Sequence, residues 1–360
     1  MRIVALRTVP ILLASLSLAQ AAPGRIYWLD LKAGGSVWGA DQDGAGAKAL
    51  VTGQGLDGPD GLAVDAPHGK IYWTNMNEGT DQGSLQRADL DGSHVEYVIK
   101  PGGAHTPKQL QIDAVHSRLY WCNRDGFTIA RAHLDGTQPE LLITGGLQNP
   151  VGMALDLENS LFYFSDKNAQ TIQRAQMNAA PGTLTGRKDI ETLFSGLARP
   201  IDLALDLEQD KIYWTDRDEG TVHRAPIEIP AGKTAANRGD IETLVKGLNT
   251  PIGMALDLKA GKLYWTEGGN GAVGRANLDG TGKETLVPGK AGSFGTGITY
   301  VASDAGVAIN NPGSAPKGKS VPLSPDADAS KIATFPGWDA LGLPGAPKAP
   351  RLRFPALKAR

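Results

Sequence analysis

The 360-residue chain holds a single cysteine, Cys122. That excludes an intramolecular disulfide, and with it zinc fingers, zinc ribbons and iron–sulfur clusters held by several thiolates. A basic excess is also missing: 36 Lys and Arg face 38 Asp and Glu, a formal charge of −2. No nucleic-acid partner is expected from that balance. No segment reaches the ~20 consecutive apolar residues needed to cross a bilayer, so no membrane span is expected. The sequence holds no Asn-x-Ser/Thr acceptor for N-glycosylation. It lacks HExxH, GxSxG and a CxxC pair, and its six histidines show no metal-ligand spacing. No catalytic residue, metal or cofactor is therefore assigned. Sustained apolar repeats of helical period are absent, so helices should be scarce.

What the sequence does hold is glycine, 46 residues, and a strongly uneven layout. Arg2 and Arg7 precede a short apolar run from Val9 to Leu18, and Ala19-Gln20-Ala21 fits the small-x-small cleavage rule. Residues 1–21 are read as a signal peptide, and the mature protein as secreted and extracellular. Residues 302–360 hold nine of the 23 prolines and are read as a disordered tail. Residues 22–301 form the body, with 26 basic and 34 acidic residues, a formal −8; the tail has eight and four, a formal +4. An acidic body disfavours anionic partners and mildly favours cationic ones.

The body is a repeat. An aromatic pair recurs six times: Tyr27-Trp28, Tyr72-Trp73, Tyr120-Trp121, Tyr163-Phe164, Tyr213-Trp214 and Tyr264-Trp265, at intervals of 45, 48, 43, 50 and 51 residues. A GLAVD-like run precedes each of the last five pairs, an xxxRA run follows, and ETL-like runs close the repeats. Each unit is thus four short strands separated by Gly, Asp, Asn and Pro. The Asp-Gly corners at 91–92, 135–136 and 279–280 are hairpin turns, where glycine supplies positive φ. Four-stranded units at this period predict an all-β, six-bladed β-propeller. The first unit has no inner strand and the last run, 297–301, has no partners. Residues 297–301 are therefore predicted to complete the sheet of strands 25–30, 36–41 and 47–52, closing the ring and leaving no open edge.

These repeats resemble the YWTD family, the six-bladed propeller module of the low-density lipoprotein receptor and its relatives. The resemblance covers about 25–301, with IYWTN at 71–75 and IYWTD at 212–216 nearly verbatim. It implies that the acidic or amide residue after each pair ties blades together: Asp30, Asn75, Asn123, Asp166, Asp216 and Glu267. It also implies that the face at the channel mouth docks peptides or proteins. Residue chemistry gives the aromatic pairs a packing role between blades. The recurrent Arg87, Arg131, Arg174, Arg224 and Arg275 read as ion-pairing partners within the fold.

Positions that break the repeat are the candidates for function. The inner strands begin Pro59-Asp60-Gly61, Pro107-Lys108-Gln109, Pro150-Val151-Gly152, Pro200-Ile201-Asp202, Pro251-Ile252-Gly253 and Gly295-Thr296-Gly297. Asp60, Lys108 and Thr296 make one polar arc against an apolar arc, and Gln109 and Asp202 replace glycine. The loops after the aromatic strands add Asn75, Glu78, Asn123, Arg124, Asp125, Asp166, Lys167 and Asn168 to the same face. Arg217, Asp218, Glu219, Glu267 and Asn270 complete that set. A ligand-binding funnel for an extracellular protein or peptide is expected there, on a monomeric, non-catalytic protein. The alternative is a propeller hydrolase, lactonase or lyase, with Asp60, Gln109 and Asp202 approaching a metal at the mouth. Two long hairpins, 178–189 and 228–240, are placed on the opposite face as a second contact surface or simple loop growth.

Overall fold

The structure is a computed structural model that describes residues 24–303, apart from 33, 78, 79, 81 and 179–186. The signal peptide, Glu78, nearly all of the tail and most of the first long hairpin lie outside the described residues. Six four-stranded antiparallel sheets stand in a ring, and no helix occurs among the described residues.

Chain order gives the blades. In blade two the strands Pro59–Asp65, Lys70–Asn75, Gly83–Asp89 and Glu96–Ala104 run from the axis outward. The inner strands of blades three to six are Pro107–Asp113, Pro150–Asp156, Pro200–Asp206 and Pro251–Asp257. Blade one is composite. Gly295–Val301 is its inner strand and pairs with Arg25–Asp30, Ile298 opposite Trp28 and Val301 opposite Arg25. The ring is sealed as the sequence predicts, so the long-range pairing of the two ends replaces two exposed edges.

The core consists of slabs between blades. Adjacent strand residues point to opposite faces of a sheet, so each aromatic pair serves two slabs. Tyr72 packs with Trp121 of blade three, while Trp73 packs with Tyr27 of blade one. Tyr163 likewise meets Trp214, and Tyr213 meets Trp265. All twelve rings of the six pairs are buried. At ~25 cal/mol per Å², the ~150–250 Å² of one such ring is a gross area term of about 4–6 kcal/mol.

Turn chemistry brings the slabs together on the far face. Gly92, Gly136 and Gly280 have φ of 90°, 82° and 84°. A Cβ at any of them would lie 1.9–2.3 Å from a backbone oxygen of the preceding blade's outer strand. Glycine is required there twice over, by its dihedral and by the close approach.

Candidate functional site

Each inner strand carries a bulge at its start. In blade two, Pro59 pairs with Asn75 and Leu62 with Trp73, so Asp60 and Gly61 together oppose Thr74. The same offset places Lys108-Gln109, Val151-Gly152, Ile201-Asp202, Ile252-Gly253 and Thr296-Gly297 in bulges. A bulge re-aims side chains and ends regular pairing. The positions that break the repeat in sequence are thus those the backbone turns out of the ladder at the channel mouth.

Close packing at the axis explains the glycine that stands second in four of the six bulges. A Cβ at Gly61, Gly152, Gly253 or Gly297 would fall 2.0–2.5 Å from a carbonyl oxygen of the next inner strand. Gly61, Gly152, Asp202 and Gly253 donate their N–H to Thr74, Ser165, Thr215 and Thr266 at 2.8–3.1 Å. Those hydroxyls then donate to the carbonyls of Lys108, Ile201, Ile252 and Thr296 in the following blade. The hydroxyl after the aromatic pair is therefore a latch between blades. Cys122 takes this place in blade three, with its buried thiol 3.5 Å from the Gly152 oxygen. Burial pushes that thiol well above its ordinary pKa, as does the charge of Asp166, so it is an inert part of the core.

The apolar arc is as the sequence suggests. Val151, Ile201 and Ile252 form one buried cluster, with Phe294 packed beside them. The polar arc differs from an open row of ligand groups, because its members bind one another. Lys108 Nζ lies 2.7 Å from Asp60 Oδ2, with side chains only 12 and 5 % exposed, and 2.9 Å from Met76 Sδ. Thr296 Oγ1 donates to the Pro59 oxygen at 2.9 Å. Asp202 is buried and accepts N–H bonds from Leu203 and Met254, both at 2.9 Å. Burial, with Asp60 nearby, pushes its carboxyl up to about 8, so it is mainly neutral at pH 7 and ties blade five to blade six. Gln109 is buried too, and its amide nitrogen meets no acceptor among the described residues.

The residues after the aromatic pairs cap the connections between blades. Asn75 accepts from Asp57 N, and Asn123 from His105 N. Asp166 accepts from the backbone of Gln148, Asn149 and Ala169, and Glu267 from Asn249 N. Asp30 and Asp216 do the same for Phe294 and Arg199. Apart from Ala169, in the loop just after Asp166, these donors belong to the incoming connection, which would otherwise present unpaired N–H groups. Asn75, Asn123 and Asp166 are buried in that task, so they sit below the surface that a partner would touch.

The next position forms a ring at the mouth. Leu31, Met76, Arg124, Lys167, Arg217 and Gly268 each donate a backbone N–H to the incoming connection, at 2.8–3.2 Å. Three consecutive blades, three to five, carry cations there. Arg124 pairs with Asp125 at 2.8 Å, and Arg199, in the connection entering blade five, pairs with Asp218 at 3.2 Å. Lys167 and Arg217 meet no carboxylate partner among the described residues. Lys167 is half-buried, and burial together with Lys108, Arg124, Arg199 and Arg217 pushes its amine down to about 8. The field of this arc runs opposite to the net charge of the body, an average that hides it.

Sequence reasoning missed two residues on the other face. Arg187 and Arg238, in the two long hairpins, have side chains with no solvent exposure. Arg187 donates to the oxygens of Leu142 and Gln176 beside Asp189. Arg238 lies 4.1 Å from the Phe194 ring centre, donates to four carbonyls and pairs with Asp240. Both hairpins read Arg-x-Asp-Ile-Glu-Thr-Leu, and that shared Arg was the signal available. Near them, between blades four and five, a cavity of about 670 Å³ is lined by Asp156, Glu158, Asp189, Glu191, Asp210 and Glu228 around Arg174. Among the described residues no three His, Cys, Asp or Glu side chains converge to hold a metal.

No protein-family model matches the chain. Solved structures do resemble it. A chain of the crystal structure of a nidogen/laminin complex superposes with a TM-score of 0.63 at 22% identity, covering 78% of this chain and all of that one. TolB from Acinetobacter baumannii superposes with a TM-score of 0.58 at 15% identity, covering 78% of this chain and 67% of that one. The likeness is one of fold. It supports a six-bladed propeller and leaves function to the site.

Proposed function

We propose that this protein is an exported, non-catalytic member of the YWTD family that binds a protein or peptide through the channel-mouth face. The observation that carries the reading is where the sixfold repeat fails. Aromatic slabs, hydroxyl latches and the arginines of the third strands recur blade after blade, whereas the residues at the bulges and in the ring beside them do not. They set a charged arc over a buried apolar cluster, and groups held on so rigid a base are placed to orient a partner. The structural neighbour from a nidogen/laminin complex has the same architecture in a protein–protein assembly. Export rests on the sequence of residues 1–21.

A photo-crosslinking residue at exposed Asn168 on the mouth, compared with one at exposed Lys233 on the far face, tests this. Adducts with extracellular proteins are expected from position 168. Equal adducts from both positions, or adducts from 233 alone, contradict the reading. Amino-terminal sequencing of exported protein should begin at Ala22. The metal-hydrolase alternative gains no observation, since Asp60 is held by Lys108 and Asp202 by two backbone amides.

A further inference from the structure

We propose that the cation arc over blades three to five holds carboxylates of an acidic segment of a partner protein. This rests on the mouth being the binding face and adds the chemistry of what it binds.

The argument begins with position. Arg124, Lys167 and Arg217 occupy the same place in three consecutive blades, fixed by one kind of backbone hydrogen bond. The other half of the ring has Gly268, Leu31 and Met76. Charge pairing then separates the cations. Asp60, Asp125 and Asp218 take up Lys108, Arg124 and Arg199. Lys167 and Arg217 remain without a carboxylate among the described residues, although the body around them is acidic.

Lys167 gives the arc its direction. A half-buried ammonium among like charges is in a poor environment for its charged form. An incoming anion relieves it, and does so without needing to displace a built-in partner. Such a burden belongs to a recognition site, where groups are pre-placed for a ligand.

The neighbours of the arc select the class of anion. A long polyanion such as nucleic acid or a sulfated polysaccharide would run over Asp60, Asp125 and Asp218 as well as the cations. One or two carboxylates on a short segment meet only the open pair. The chain's own tail, at +4, has the wrong sign.

The test uses the full exported protein and two capped octapeptides, one with Asp-Ile-Glu between Gly and Ser residues, the other with Asn-Ile-Gln. Calorimetric titration should show the acidic peptide binding at least about tenfold tighter. Raising NaCl from about 50 to about 200 mM should weaken it. Lys167→Gln and Arg217→Gln should each weaken it about tenfold without lowering the melting temperature, and Lys233→Gln on the far face should change nothing. Equal affinity for the two peptides overturns the inference, as does an acidic peptide that fails to bind at millimolar concentration. Tighter binding of a heparin oligosaccharide at the same cations also overturns it. If crosslinking at position 168 still succeeds in any of these cases, the mouth reading stands and only its proposed chemistry falls.

Discussion

The two faces of the propeller treat their cations in opposite ways. On the far face, Arg87, Arg131, Arg174, Arg224 and Arg275 repeat in five blades. Each pairs with a Glu of the outer strand at 2.6–2.8 Å. Four of them also donate to a carbonyl of the next blade, and Arg174 reaches Glu228 of blade five. On the mouth face, Arg124, Lys167 and Arg217 occur in three blades only, and two of the three meet no carboxylate among the described residues. A repeated cation with its partners built in belongs to the ring, and an unrepeated cation without one belongs to what the ring presents.

Several changes would break or sharpen that contrast. The largest effect falls on the core both faces share: Trp214→Ala should cost ~3–5 kcal/mol, because Trp214 is buried against Phe194, with ring centres 4.9 Å apart. Urea unfolding reads it, and a near-neutral result would show that the slabs do not hold the ring. Asp202 comes next. Its folded pKa, about 8, lies above the unfolded value near 4, so the folded state binds the extra proton between those values. Stability from this group is full below about 4 and falls as pH rises to about 8, by a few kcal/mol. Asp202→Asn should flatten the melting-temperature profile across that window. An unchanged slope would place Asp202 in a more polar setting.

Smaller changes separate the faces themselves. Gly152→Ala should cost ~1–3 kcal/mol, since its Cβ would press on the Ile201 oxygen at 2.0 Å. Cooperative folding at wild-type stability would mean the inner strands can part freely. Arg224→Gln should cost ~1 kcal/mol, losing Glu242 at 2.6 Å and the Leu278 carbonyl at 2.9 Å. Lys167 should titrate near 8 rather than near 10.5. Labelling with an amine-reactive reagent and mass spectrometry across pH 7–10 checks that, and an ordinary titration would remove the crowding inferred at the mouth.

The fold was legible because it is written six times. Tyr-Trp pairs, Asp-Gly corners and complementary ends fixed blades, turns and closure, since each encodes a local constraint that recurs. The paired Arg and the capping acid or amide were legible for the same reason. The site was legible in outline only. The bulge positions stood out by breaking the repeat, but pairing across blades did not. Lys108 and Asp60 are 48 residues apart, and nothing local says that they meet. Asp202 and Gln109 read as mouth groups, while close packing at the axis buries them. The cations were visible one by one. Their common sign emerges only when the ring is folded and blades three to five stand side by side.

The most direct measurement compares Arg217→Gln with Arg224→Gln, the same substitution on opposite faces of blade five. Melting temperature and acidic-peptide affinity are read on both. The account predicts that Arg217→Gln keeps its melting temperature and loses affinity about tenfold, while Arg224→Gln melts about 2 degrees lower and binds normally. A mouth variant that melts early yet binds like the parent would contradict it.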